Sequence, residues 1–222
     1  MDAYKILEIK QSVFENNDKQ ADLLRNSLKK DKVFLLNLMS SPGSGKTTTV
    51  LRTIEALRDE MSIGVLEADI DSDVDAHTVS TTGTKVIQLH SGGMCHLTAE
   101  MTRQGLVGMG TKGLDFVILE NIGNLICTAE VDTGASKNAM ILSVPEGDDK
   151  PLKYPYMFSM ADVLLINKID AMSLFDFDIE AVRERVTKMN PKIRIIPISA
   201  RTGEGIQEWA EWLRQEIQEW KR

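Results

Sequence analysis

Three groups of residues in this 222-residue chain have types and spacings that could do chemistry. The first is Ser40-Ser41-Pro42-Gly43-Ser44-Gly45-Lys46-Thr47-Thr48, set between an apolar run at Val33–Met39 and a helical pattern through Val50, Leu51, Ile54 and Leu57. Strand, glycine loop and helix in that order make a phosphate loop. The glycines let successive backbone N–H groups converge on phosphate oxygens, and the helix N-terminus adds partial positive charge. Gly43, Ser44, Gly45 and Thr48 would line the phosphates, Lys46 would reach the β- and γ-phosphates, and the Thr47 hydroxyl would bind Mg²⁺. The G-x-x-x-x-G-K-T pattern has glycine where this chain has Ser40, so Ser40 must hold a negative φ.

The second group selects the nucleotide. Val163–Ile166 runs straight into Asn167-Lys168-Ile169-Asp170, at the strand end where parallel sheets bind ligands. The Asp170 carboxylate can accept from guanine N1 and N2, which adenine does not offer. Asn167 would contact the purine edge or brace the loop, and the Lys168 stem would lie against the base with its ammonium in water. Ser199 and Ala200, after the last strand, would close on the base. GTP and GDP are therefore the expected ligands.

Phosphoryl transfer also needs acids near Mg²⁺ and a way to orient water. Glu67-Ala68-Asp69-Ile70-Asp71-Ser72-Asp73-Val74-Asp75 is dense in carboxylates, and Glu120 ends another strand before Asn121-Ile122-Gly123. Asp75 and Glu120 are the candidates for Mg²⁺ or water positioning, with Asp69 behind them. Asp71 and Asp73 read as a solvated turn.

The third group is the pair of cysteines, Cys95 and Cys127, with His96 directly after the first. Both lie outside the expected strands, and Cys127 follows Glu120 on the segment that should sense the γ-phosphate. Thiolate and imidazole suit Zn²⁺ or Ni²⁺, whereas Mg²⁺ prefers oxygen. Cys95, His96 and Cys127 fall short of the four ligands of a closed structural zinc site. Either a dimer pools two sets or a position stays open, as suits a site that hands metal on. The competing reading is two packed thiols.

Positioning these groups takes a doubly wound α/β fold. Branched apolar runs near Val33–Met39, Ile63–Glu67, Lys85–Leu89, Phe116–Glu120, Ala139–Val144, Val163–Asn167 and Ile193–Ile198 alternate with helical stretches, the rhythm of a mainly parallel sheet of about seven strands. Ile6, Ile9 and Val13, then Ala21, Leu24 and Leu28, keep helical spacing on either side of Asn16-Asn17-Asp18. Ile206, Trp209, Ala210, Leu213, Ile217 and Trp220 share one face of a closing helix. With no internal repeat or linker, one GTPase domain over 1–222 is expected: a helical extension at 1–31, a core at 33–205 and a closing helix at 206–222.

Composition narrows the alternatives. With 42% hydrophobic and 27% charged residues, neither disorder nor a membrane protein fits, and no apolar run approaches the roughly 20 residues of a membrane span. A net charge of −7 without a basic patch makes nucleic acid a poor partner. The amphipathic start MDAYKILEIKQSVFENNDK is unlike a signal peptide, so a cytoplasmic protein is expected.

Taken together, SSPGSGKTT, EADIDSDVDA, GGMCHL, ENIGNLIC, VPEGDDKP, INKID and ISARTGEG make the stretch from about Val33 to Gly205 resemble the hydrogenase nickel-incorporation GTPases, the HypB family of SIMIBI-class P-loop GTPases. The resemblance implies a GTPase that forms a homodimer with GTP, binds Ni²⁺ or Zn²⁺ between subunits, and delivers nickel during [NiFe]-hydrogenase maturation. Its implied partners are other hydrogenase maturation proteins and the hydrogenase large subunit precursor. It carries over Cys95, His96 and Cys127 as metal ligands, Lys46 and Thr47 as phosphate and Mg²⁺ residues, and Asn167 and Asp170 as guanine contacts.

Two departures stand out. The first ninety residues hold only His77 and His90 and no cysteine, which argues against nickel storage, and Thr128 replaces the proline that many members carry after the second cysteine. Lys150 and Lys153 are candidates for a catalytic cation supplied across a dimer, with plain surface lysines as the alternative. Rival readings are a urease-type nickel GTPase, whose Cys-Pro-His sequence is missing here, and a nucleotide-gated binding module without a metal role.

Overall fold

The computed structural model describes residues 17–70 and 72–222 in full and the backbone of 5–8. Its strands are β1 (Lys5–Glu8), β2 (Phe34–Ser40), β3 (Ile63–Asp69), β4 (Lys85–His90), β5 (Phe116–Glu120), β6 (Lys137–Ser143), β7 (Val163–Asn167) and β8 (Arg194–Pro197). They form one sheet in the order β1-β4-β3-β5-β2-β6-β7-β8, and every pairing in it is parallel. All seven strands expected from branched apolar runs are present.

The eighth strand corrects the reading of the N-terminus. Lys5–Glu8, placed in a helix on the spacing of Ile6, Ile9 and Val13, instead pairs with β4 from Lys5↔Ile87 to Glu8↔His90. A four-residue apolar-polar run cannot separate the two periods by itself, and here an exposed sheet edge supplied the ladder. Ile9 and Val13 lie outside the described residues, as does Asp71.

The helices are α1 (Asn17–Asp31), α2 (Lys46–Leu57), α3 (Val74–Ser80), α4 (Ala99–Met109), α5 (Cys127–Glu130), α6 (Lys150–Lys153), α7 (Pro155–Met160), α8 (Ile179–Met189) and α9 (Ile206–Lys221), with 3₁₀ turns at Val144–Glu146 and Ile169–Leu174. They cover both faces of the sheet, which is why central strands such as Phe34–Ser40 are buried at every residue. Leu36, Leu38, Ile118 and Ile141 face α2 and α9, while Leu35, Leu119 and Met140 pack beneath the helices of the other face. Among the described residues no helix is long and apolar enough to cross a membrane.

The closing helix docks as its pattern requires. Ile206, Trp209, Ala210, Leu213 and Ile217 are buried, and Trp209 Nε1 donates to Thr53 Oγ1 on α2 at 2.9 Å. Trp220 stays with the core: its Nε1 donates to the Val33 carbonyl at 2.8 Å and its ring meets Phe34 edge-on. Because Trp209 joins α9 to the helix that follows the phosphate loop, Trp209→Ala is expected to cost about 3–5 kcal/mol. A chemical denaturation midpoint close to that of the unaltered protein would contradict this packing role.

Candidate active site

At the carboxyl ends of β2, β3 and β5 a cleft of about 650 Å³ opens between Gly43–Thr48 and the loops after β3 and β5. Gly45 enters α2 with φ +97°, and a side chain there would lie 2.5 Å from Asn167 Nδ2. Both facts demand glycine. Ser40, the departure from the glycine pattern, ends β2 without a positive φ, so the substitution costs no backbone strain. Its hydroxyl gains a role, accepting from Lys46 Nζ at 3.1 Å and from Ser44 Oγ at 2.6 Å.

The floor of the cleft is acidic. Glu67 and Glu120 are direct neighbours on β3 and β5, both almost fully buried, and Thr47 Oγ1 donates to Glu120 Oε1 at 3.0 Å. Glu67 Oε1 and Glu120 Oε2 have no hydrogen-bond partner. Burial pushes Glu120 up to about 7 against the pull of Lys46, and burial beside Glu120 raises Glu67 well above the ordinary carboxylate range. Asp69 and Asp75 line the same cleft, Asp69 Oδ1 accepting from the Ser72 N–H at 2.8 Å.

Glu67 was missed by the sequence reading. It ends an apolar run at the start of an acid-rich segment, and only the strand register puts it beside Glu120. Two partnerless carboxylate oxygens next to the Thr47 hydroxyl are a donor set suited to Mg²⁺, an oxygen-seeking ion.

The raised carboxyls make the empty protein pH-sensitive. A carboxyl whose folded pKa exceeds its unfolded value stabilises below about 4.5 and loses that contribution as pH rises through about 7. Without nucleotide or Mg²⁺, thermal stability should therefore fall across that window. Glu67→Gln should raise the midpoint at neutral pH by on the order of 1–2 kcal/mol, or roughly 2–8 °C. Equal midpoints for the two proteins at neutral pH would count against the pair as described.

Opposite the acids, the base end is held by three amide contacts. Asn167 Nδ2 donates to the Ser44 carbonyl at 2.9 Å, and Asn167 Oδ1 accepts from the N–H groups of Ala200 at 3.0 Å and Lys168 at 2.8 Å. Asn167 therefore braces the phosphate loop against the Ser199-Ala200 loop. Lys168 takes a left-handed φ of 64°, and its Nζ donates to the Gly43 carbonyl at 2.6 Å. Ser199 Oγ donates to Asp170 Oδ1 at 2.6 Å, and the Arg201 guanidinium stands 3.9 Å from Oδ2, so both oxygens of that carboxylate are oriented.

Comparison with known proteins identifies the family. Residues 34–197 match the family model described as the CobW/HypB/UreG nucleotide-binding domain. The chain is 42% identical over 212 residues to the hydrogenase maturation factor HypB of Azotobacter vinelandii, spanning 96% of this chain and 70% of that one. This chain belongs to the HypB family. Its fold is correspondingly close to that of a crystal structure of HypB from Helicobacter pylori in complex with nickel, with a TM-score of 0.86 at 36% identity, over 92% of this chain and 96% of that one. HypB from Archaeoglobus fulgidus gives 0.85 at 34% identity over 91% and 98%. The HypB family is a SIMIBI-class group of P-loop GTPases, the fold and family that the motifs imply.

The thiols of this HypB-family chain lie near one another. Cys95 Sγ and His96 Nδ1 are 3.8 Å apart, and the neighbouring Cys95 thiol raises Cys127 above the ordinary thiol range. Burial lowers His96, which favours the neutral imidazole that a metal needs. Among the described residues no three His, Cys, Asp or Glu side chains are gathered to hold a metal ion within one chain. Cys127 opens α5, its N–H capped by Asn124 Oδ1 at 2.9 Å. Lys153 stands apart from the cleft on α6, bonded to Asp149 at 2.5 Å, and the Lys150 ammonium lies over the Tyr154 ring.

Proposed function

We propose that this protein is a GTP-hydrolysing metallochaperone that carries nickel to a [NiFe]-hydrogenase under assembly, as a dimer promoted by GTP. The observation that carries the reading is covalent continuity: Glu120, bonded to Thr47 of the phosphate loop, and Cys127, beside Cys95, lie on one short segment. A nucleotide-dependent change in that segment needs no longer route to reach the thiols.

Thr47, Glu120 and Asp75 would hold Mg²⁺, with Asp69 behind them, and the ion when bound neutralises charge on the β- and γ-phosphates. The cleft needs such neutralisation, since Glu67, Asp69, Asp75 and Glu120 face it against Lys46 and Lys168. Lys46 leaves the Ser40 hydroxyl to contact the phosphates. Glu120 orients the attacking water. The backbone after Asn121 meets the γ-phosphate and slackens when it departs.

Nickel is the cargo, taken by Cys95, His96 and Cys127 from two chains, because three ligands per chain fall short of a closed four-ligand site. The thiols that bind it must lose protons, so loading releases acid and weakens as pH falls. Lys153 would act across the same dimer, as a cation supplied to the partner's phosphates. Equilibrium dialysis against Ni²⁺ tests the cargo site: tight binding that disappears in both Cys95→Ala and Cys127→Ala supports it. Undiminished binding in either variant contradicts it.

A further inference from the structure

Three side-chain amides run in a row through the sheet behind the cleft. Asn121 Oδ1 accepts from the Ile122 N–H at 2.9 Å, Asn121 Nδ2 donates to Asn37 Oδ1 at 2.9 Å, and Asn37 Nδ2 donates to Asn138 Oδ1 at 3.0 Å. Asn37 and Asn138 are direct partners on β2 and β6. Asn121 and Asn37 are only 1% and 2% exposed. A buried amide left without its partner costs about 1–3 kcal/mol, which makes this row an expensive way to fill a core that Leu35 and Met39 fill with hydrocarbon on either side.

The row ends at the cleft. Ile122 and Gly123 line it beside Pro42, and a side chain on Gly123 would lie 3.0 Å from the Pro42 backbone nitrogen. Small turns of the Asn121 side chain therefore shift the Ile122–Gly123 backbone that lines the cleft. Asn37, by contrast, also borders a second cavity of about 470 Å³ shared with Thr128, Tyr156 and Met160. The hydrogen bond from Asn121 Nδ2 to its Oδ1 is what ties Asn37 to the cleft side.

We infer that Asn37, which does not itself line the cleft, is a positioning residue for the γ-phosphate: it fixes the Asn121 amide, and Asn121 fixes the Ile122–Gly123 backbone. The inference rests on the GTPase reading above. Asn138 steadies Asn37 from the far side without deciding how Asn121 points.

The test uses the full-length protein with Mg²⁺, measuring GTP turnover and the affinities for GDP and guanylyl imidodiphosphate. Asn37→Ala should lower kcat roughly 10- to 100-fold, the scale of a misplacement by about an ångström. It should cut the preference for guanylyl imidodiphosphate over GDP about tenfold while GDP affinity stays within about twofold. Asn138→Ala removes a neighbouring rung at a similar cost in thermal midpoint, yet should leave turnover and preference within about twofold. Asn37→Asp, which keeps the acceptor facing Asn121, should recover most of the preference, and Asn37→Ser carries the same reading as Asn37→Ala should the alanine variant fail to fold.

Wild-type turnover and preference in Asn37→Ala, or parallel losses in Asn37→Ala and Asn138→Ala, would overturn the assignment alone. A wild-type protein that neither hydrolyses GTP nor prefers its analogue over GDP would overturn the functional reading and this inference together.

Discussion

Asp170→Asn is expected to lower GTP affinity by roughly 10³- to 10⁵-fold and to confer binding of XTP. A site built to accept from substrate N–H groups rejects a mismatched ligand on that scale, because its buried polar groups are left unpaired. Asp170 is placed to become such an acceptor once a base covers it: Ser199 Oγ holds Oδ1 at 2.6 Å and Arg201 stands 3.9 Å from Oδ2, which orient the carboxylate. Asparagine keeps the shape and replaces one acceptor with an N–H donor, which matches the C2 carbonyl of xanthine and opposes the C2 amino group of guanine. Competition against a fluorescent guanine nucleotide measures both changes. GTP affinity within threefold of the wild type would remove Asp170 from base recognition.

Lys46→Ala should reduce GTP hydrolysis by at least about 10³-fold, the usual scale for a cation that stabilises a phosphoryl-transfer transition state. In the cleft Lys46 is bonded to the Ser40 hydroxyl at 3.1 Å, a neutral partner that it can leave for phosphate at little cost. Around it stand Glu67, Asp75 and Glu120, so its loss leaves the triphosphate facing carboxylates with Lys168 as the remaining lysine of the cleft. Nucleotide affinity should fall as well, which separates this variant from one that alters only the chemical step. Single-turnover hydrolysis at saturating GTP reads the chemistry, and a rate within tenfold of the wild type would contradict the role.

Much of this was legible in the chain because its signals are local. Seven strands announce themselves as runs of branched apolar residues, and the phosphate loop and Asn-Lys-x-Asp are contiguous, with strand ends that fix where they point. Ala21, Leu24 and Leu28 reach the core on α1 as their spacing requires. What escaped depended on partners distant in sequence. Lys5–Glu8 is a strand because β4 offers an edge, and Glu67 belongs to the site because its register sets it beside Glu120. The Asn37–Asn121–Asn138 row joins three strand neighbourhoods and has no motif at all.

Asn167 shows the same limit at a finer scale. Its sequence allowed either a base contact or a brace, and two hydrogen bonds, one to the phosphate loop and one from Ala200, give it the bracing position. The cysteines mark the other boundary. Their spacing and the neighbouring histidine point to soft-metal chemistry, while a ligand set divided between chains leaves no complete signature in one sequence.

The central claim is that the nucleotide governs the metal site. Nickel titration with simultaneous sizing of the protein in its GTP-analogue, GDP and nucleotide-free states tests it most directly. Coupling through the Glu120–Cys127 segment should change nickel affinity by about 5–150-fold between nucleotide states, the range of ordinary allosteric coupling, with one nickel per dimer in the analogue-bound form. The same affinity, stoichiometry and size in all three states would contradict the claim.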